Sequence, residues 1–267
     1  MTENLPPINA AFIVAAVLIQ FPLMILFPLA LGGWIRRRYR VGWGIFGAGA
    51  LTFIASQVVH LPLNYALGLL GGGRGVALWP LPLLALVAGL SAGVCEEGAR
   101  WLALRFALKR TRGWRAGLQF GAGHGGGEAI IFGLLALVSF ISMIALRSLG
   151  SAALGVAPEA AEQVRAVQTA YWASPWYLPI VAGLERLFAI AVQIALAQLV
   201  MRSFTRRNPA YLGAAIALHT VLDAWAVWSV STWGVVATEG GVALLAAAAL
   251  GLIWRLRDAP TAAEATG

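Results

Sequence analysis

An all-α, polytopic transmembrane helix bundle of about seven spans is the fold this sequence predicts, and three observations predict it. Hydrophobic residues make up 60% of the 267 residues and charged residues only 11%, whereas a soluble domain carries roughly 45–50% and about 25%. Mean hydropathy is +0.80, and the apolar residues fall into runs near the ~20-residue length that carries a helix across a bilayer. The net charge of +8 sits in short clusters between those runs. Ten-residue alternating segments, the mark of an outer-membrane barrel, are absent.

The spans read in order as Ala10–Leu31, Val41–Leu61, Trp79–Leu108, Ala116–Leu146, Trp176–Met201, Pro209–Val230 and Val235–Trp254. The first has no basic residue before it and arginines after it, which fits an anchor better than a signal peptide. Arg36, Arg37, Arg38 and Arg40 follow span one, and Lys109, Arg110, Arg112 and Arg115 separate spans three and four. Arg202, Arg206 and Arg207 follow span five, and Arg255 and Arg257 follow span seven. The intervening loops on the other side carry only Arg74, Arg147 and Arg165. The positive-inside rule then places the N-terminus outside and the C-terminus in the cytoplasm. Residues 1–257 read as a single transmembrane helical domain and 258–267 as a short, polar cytoplasmic tail. Topology and attraction to anionic lipid at the cytoplasmic face account for the basic charge; a nucleic-acid partner is not required. The expected location is the plasma membrane of a bacterium or archaeon. The outer segment Ser148–Pro175, with Tyr171 and Trp172, reads as an interfacial helix over the bundle or as a connector. Cys95 is the single cysteine, so no intramolecular disulfide forms.

Five carboxylates and three histidines fall inside these apolar runs. They are Glu96, Glu97, Glu128, Glu185 and Asp223, with His60, His124 and His219. Ionisable groups at membrane depth cost several kcal/mol each, so each marks a functional-site hypothesis. At ~1.5 Å rise per residue, counted from the nearest cytoplasmic basic residue, Glu96, Glu128 and His219 lie at roughly 18–20 Å, His124 lower and Asp223 higher. Three spans therefore bring acid and imidazole to similar depth. Glu96–Arg100, His124–Glu128 and His219–Asp223 are each four residues apart and share a helix face. Such pairs either satisfy one another as packing locks or turn inward as one polar pocket, and three at matched depth favour the pocket.

Gly121, Gly123, Gly125, Gly126 and Gly127 surround His124. Small residues there let neighbouring backbones approach, admit a substrate strand, or allow local unwinding beside a cavity. His60 lies near the outer surface and reads as a hydrogen-bonded packing residue, with Gln57 and Asn64 close enough to join it. Glu185 and Arg186 read as a structural bridge or as support for the site. No His-Glu-x-x-His helix and no nucleophile elbow is present, and Asp223 alone is too few for a two-aspartate protease.

Glu96-Glu97-x-x-Arg100, Gly123-His124-Gly125-Gly126-x-Glu128 and His219-x-x-x-Asp223, each in its own span, resemble the YhfC family of intramembrane proteases, related to the CPBP (CAAX protease and bacteriocin-processing) and PrsW groups. The resemblance covers most of the chain, including Ser56–Asn64 and Glu185-Arg186. It implies that Glu96 or Glu97 activates a water as general base and that His124 and His219 bind that water or a metal. Glu128 and Asp223 are then further ligands or orienters, with Arg100, Glu185, Arg186 and His60 in support. Arg100 follows the second glutamate by three residues rather than the four of the CAAX-type pattern, which leaves the choice of glutamate open. Gln193 stands where relatives often carry histidine and receives no catalytic role. The implied cofactor is zinc or none, and the implied substrates are membrane proteins, peptides or lipidated peptides. Residue chemistry alone also admits a proton- or cation-coupled transporter, or a catalytically silent membrane-binding module.

Overall fold

The structure, a computed structural model, describes residues 5–257; the expected tail at 258–267 lies outside the described residues. Among the described residues, seven helices are long and apolar enough to cross a membrane. They are α1 (Ala10–Tyr39), α2 (Trp43–Leu67), α3 (Leu81–Ala107), α4 (Trp114–Leu149), α6 (Leu178–Thr205), α7 (Ala210–Trp233) and α8 (Val235–Arg255). A shorter helix, α5 (Ala161–Trp172), precedes α6. The chain is an all-helical, polytopic integral membrane protein.

The helices overrun the apolar runs for identifiable reasons. Asn9 starts α1 by accepting the Ala11 amide at 2.9 Å, a side-chain N-cap. Pro22 has no N–H to donate, and the ladder of α1 loosens into π-helical turns on both sides, Ala16–Gln20 and Pro22–Leu26. Beyond the apolar run α1 continues through Arg36–Arg38, which are good helix formers, and it stops before Arg40 at φ 57. Helix α2 runs past Pro62 to Leu67, six residues beyond the expected end. A proline inside a helix removes one backbone bond, a loss that membrane helices tolerate when neighbours compensate. Gly68 ends it at φ 81, its N–H on the Asn64 and Tyr65 carbonyls, the left-handed cap that glycine adopts without strain.

Backbone contacts group the chain into two compact units, Met1–Phe27 with Ala129–Arg186, and Pro28–Glu128 with Leu187–Gly267, the boundaries falling within α1, α4 and α6. In the first, Phe12, Ala16, Phe21 and Phe140 form a buried cluster. The Phe12 ring meets Tyr171 and Trp172 of α5 edge-on at centroid distances of 5.5 and 6.4 Å. Helix α5 thus occupies the second half of the Ser148–Pro175 segment and anchors itself through its aromatic end.

The second unit is built on close backbone approach. A Cβ on Gly123 of α4 would strike the Phe46 carbonyl of α2, and one on Gly127 would meet Ala50 Cα at 2.9 Å. On the opposite face of α4, a Cβ on Gly121 or Gly125 would meet the α6 backbone, Ile194 Cα at 2.6 Å and Ile190 Cα at 3.1 Å. Gly89 and Gly93 do the same for α3 against Thr220 and Ile216 of α7. The glycine stripe therefore serves close packing, and α4 remains α-helical throughout it. These contacts set the depth and rotation of every side chain in the candidate site.

Gly123→Ala is expected to cost about 1–3 kcal/mol through overpacking, seen as a Tm several degrees lower in detergent-solubilised protein. Gly98 of α3 has nothing within 4 Å of an added Cβ, so Gly98→Ala should raise Tm through the ~1 kcal/mol helix preference of alanine over glycine.

Candidate active site

Helix α3 supplies two adjacent carboxylates that its ~100° turn per residue aims at different partners. Glu97 is enclosed, with 0% of its side chain exposed, and forms an ion pair with the equally buried Arg100 one turn on. The same Glu97 oxygen meets His219 Nδ1 of α7 at 2.7 Å. Glu96 points to a second set of groups. Its Oε2 lies 3.0 Å from His124 Nε2 of α4, 3.3 Å from Gln193 Nε2 of α6 and 3.6 Å from Arg100 Nη2. His219 Nε2 is 3.9 Å from the same oxygen.

Gln193 ties the centre together. Its carbonyl accepts from Arg100, and its amide donates to Glu96 and, at 2.9 Å, to Glu128. Asp223, one turn beyond His219, places Oδ2 3.6 Å from His219 Nε2 and keeps 35% of its side chain exposed. The i, i+4 pairs Glu96–Arg100 of α3 and His219–Asp223 of α7 thus meet. Gln193 joins Glu128 to Glu96, which meets His124, so α4 carries both of its residues into the same network.

The hydrogen bonds assign the tautomers of the two rings. The Thr52 hydroxyl donates its one proton to the Gly49 carbonyl at 2.6 Å. It must therefore accept from His124 Nδ1 at 2.8 Å, so Nδ1 carries the ring proton. His219 Nδ1 faces the Glu97 carboxylate and is likewise the donor. In their neutral forms both rings then present an Nε2 lone pair toward Glu96 Oε2. Two lone pairs and a carboxylate oxygen repel one another unless a proton or a cation lies among them.

That arrangement allows a metal to be considered on chemistry. Among the described residues no three His, Cys, Asp or Glu side chains stand as a formed metal-ligand group. The donor set nevertheless fits a zinc-type ion, with two imidazole nitrogens whose opposite ring atoms are held by a hydroxyl and a carboxylate. Oxygen donors from Glu96 and Asp223 lie beside them.

His60 stands within electrostatic reach of Glu96 and His219. His60 Nε2 accepts from Asn64 at 2.9 Å and lies 3.3 Å from Ser91 Oγ, while Gln57 bonds Ser56 instead. Glu185 and Arg186 belong to the first unit, where they pair with each other and the guanidinium covers the Phe132 ring at 5.2 Å. Sequence reasoning gave Gln193 no role and did not single out Thr52. An amide inside the apolar run of α6 was a signal for the first. A threonine bonded to its own helix backbone leaves no pattern in a sequence.

Fold and site together define a class, the polytopic helical membrane proteins with a buried acid–histidine–arginine centre. The chain belongs to the YhfC family: the family model described as YhfC intramembrane metalloprotease matches residues 23–245, which include every group of the centre. A Bacillus subtilis (strain 168) protein, "Uncharacterized membrane protein YhfC", is 32% identical over 237 residues, 86% of this chain and 90% of that relative. No solved structure matches the chain.

Removing Arg100 leaves Glu97 charged, enclosed and without its counter-ion. Arg100→Ala is expected to destabilise by about 3–5 kcal/mol, whereas the paired Arg100→Met, Glu97→Leu change should recover most of that loss. Thermal unfolding of the single and double variants, compared as a cycle, measures both.

Proposed function

We propose that the chain is an intramembrane endopeptidase that hydrolyses peptide bonds of membrane-associated substrates. The observation that carries this reading is the convergence of His124 Nε2 and His219 Nε2, from two helices, on one oxygen of Glu96 from a third. Peptide hydrolysis needs a water, a base for its proton, and donors or a cation for the developing oxyanion. Glu96 is the base. Its side chain keeps 8% exposure where that of Glu97 has none, and its Oε2 is the point that the surrounding donors share. Glu97 is a positioning residue, holding the His219 ring through Nδ1 while Arg100 holds Glu97.

Thr52 performs the equivalent service for His124. Gln193 holds Glu96 against rotation and connects it to Glu128. A water beside Glu96 directs one proton at the Glu96 carboxylate and the other at an imidazole Nε2 lone pair; as the water attacks, Glu96 takes the first proton and returns it to the departing amine. Where zinc binds, His124, His219 and Asp223 would hold it. It would supply Lewis-acid polarisation of the scissile carbonyl and a more acidic water. The metalloprotease description of the family supports a metal in the reaction. A proton- or cation-coupled carrier would use the same residue types strung along a path. The clustering of carboxylates around two oriented imidazoles favours hydrolysis.

The test is cleavage of membrane-anchored reporter peptides by the purified full-length protein. Glu96→Gln should lower kcat by about 10²–10⁴-fold, the range for loss of a general base. Glu97→Gln and Thr52→Val should lower it by about 10–100-fold, the range for partners that orient a ligand. Cleavage that survives Glu96→Gln sinks the assignment. A chelator is expected to abolish activity and added zinc to restore it, and activity indifferent to chelation removes the metal from the proposal.

A further inference from the structure

On α2 the polar side chains Thr52, Ser56, His60 and Asn64 recur every four residues and climb one side of the helix. Thr52 meets His124. Two turns on, His60 sits in a ring of bonds with Asn64 and Ser91 of α3. The Ser91 hydroxyl donates to Asn64 Oδ1 at 2.8 Å, so the amide nitrogen of Asn64 faces His60 Nε2 at 2.9 Å. An amide nitrogen only donates, which makes Nε2 the acceptor and puts the proton of the neutral ring on Nδ1. That Nδ1–H is buried and, among the described residues, meets no acceptor. A buried donor left unpaired costs about 1–3 kcal/mol, and a catalytic role is one of the few reasons to keep it so.

Peptide hydrolysis develops an oxyanion that needs donors at ~2.7–3.1 Å, and the donors nearest Glu96 are already engaged. The Gln193 amide donates to Glu96 and Glu128, and Arg100 donates to Glu97 and Gln193. His124 Nδ1 is held by Thr52 and His219 Nδ1 by Glu97. Arg100 Nε also lacks a partner, but that side chain is wholly enclosed. His60 is partly buried as a residue and stands within electrostatic reach of Glu96 and His219. Its partner Ser91 comes five residues before Glu96, about 7.5 Å along α3. Helical side chains tilt toward the N-terminus, which brings the Glu96 carboxylate nearer to Ser91. A path from base through water and carbonyl to a donor is roughly 10 Å at full stretch: a hydrogen bond, an approach of ~3 Å, a C=O bond and a second hydrogen bond. The spacing along α3 falls inside it.

We propose that His60 Nδ1–H is the donor that holds the carbonyl oxygen of the scissile peptide bond and the oxyanion it becomes. The inference rests on the protease reading and adds a catalytic residue to it. As the water oxygen bonds the carbonyl carbon, its proton passes to Glu96 and the C=O π pair moves onto the oxygen that His60 meets. Collapse returns that pair to the C=O bond, breaks the C–N bond and passes the proton from Glu96 to the amine. Ser56 and Val59, in the turn before His60, and Cys95, beside Glu96, line a groove between α2 and α3. A carbonyl entering by that groove arrives between the donor and the base. Asn64 and Ser91 are positioning residues, fixing the tautomer of His60 and holding its ring still.

The test sets two amides in place of the ring. Asparagine puts its amide nitrogen near the position of Nδ1, whereas glutamine reaches the position of Nε2, where its carbonyl can accept from Asn64. His60→Asn thus keeps the proposed donor and loses the Asn64 bond, and His60→Gln does the opposite. With full-length protein and membrane-anchored reporter peptides, His60→Gln should lower kcat by about 10²–10³-fold, the range for one oxyanion donor, with KM within about two-fold. His60→Asn should stay within about ten-fold of wild-type kcat. A peptidyl phosphinate, whose tetrahedral oxygen stands where the oxyanion forms, should bind His60→Gln at least about ten-fold more weakly than wild type by calorimetry. A purely structural role predicts the reverse order, glutamine active and asparagine not, and that order overturns the proposal. Equal loss in both variants, or unchanged phosphinate affinity, overturns it as well. Wild-type kcat in His60→Gln removes His60 from the reaction and leaves the protease reading standing. A wild-type protein that cleaves none of the peptides overturns the protease reading, and the role of His60 falls with it.

Discussion

The centre depends on one electrostatic constraint: two imidazole lone pairs directed at a single carboxylate oxygen in a region without bulk water. Neither ring is free to relieve it by changing tautomer. Thr52 has already given its proton to the Gly49 carbonyl and can only accept from His124. Glu97, held by Arg100, can only accept from His219. The unfavourable facing of three acceptors is therefore built in by four residues outside it. It is relieved by a proton or a cation, and a site that must hold one or the other at a fixed point is a site prepared for chemistry.

Position follows from packing. In a bilayer no hydrophobic drive distinguishes helix–helix contact from helix–lipid contact, so association depends on how closely backbones approach and on polar bonds between them. The glycines facing α2, α6 and α7 permit approaches that any side chain would forbid. They fix α3, α4 and α7 in rotation well enough that groups 28 and 122 residues apart in the chain meet at hydrogen-bond distance. Close packing also explains how five titratable side chains, Glu96, Glu97, Arg100, His124 and His219, are buried together. Each meets a side chain from another helix.

Much of this was legible beforehand. Span number and identity followed from hydropathy, and a count of residues from the basic clusters put Glu96, Glu128 and His219 at one depth. Boundaries were less legible, because the apolar runs end before the helices do: arginines prolong α1, and α2 passes through Pro62. Within the centre, i, i+4 spacing shows which side chains share a face but not which partner each meets across a helix interface. Hence the tighter Arg100 partner is Glu97 at i−3, with Glu96 at i−4 further off. Gln193 is similar. Its amide bonds three helices together, a role that depends on the rotation of α6 against α4 and α3, for which a sequence carries no direct signal.

Adjacency of Glu96 and Glu97 carries the division of labour. Two neighbouring residues on a helix differ by about 100° in direction, so they favour different partners. In this chain one turns into the α3–α7 interface, where Arg100 and His219 enclose it, and the other turns toward His124 and Gln193. The enclosed carboxylate is costly to bury and gains its place by orienting a ring and neutralising a guanidinium. The second carboxylate shares Arg100 at the longer distance of 3.6 Å and is the only one of the pair with exposed surface. A single glutamate at either position would have to serve both ends. The doubled glutamate separates the group that holds the site in shape from the group that is left to react.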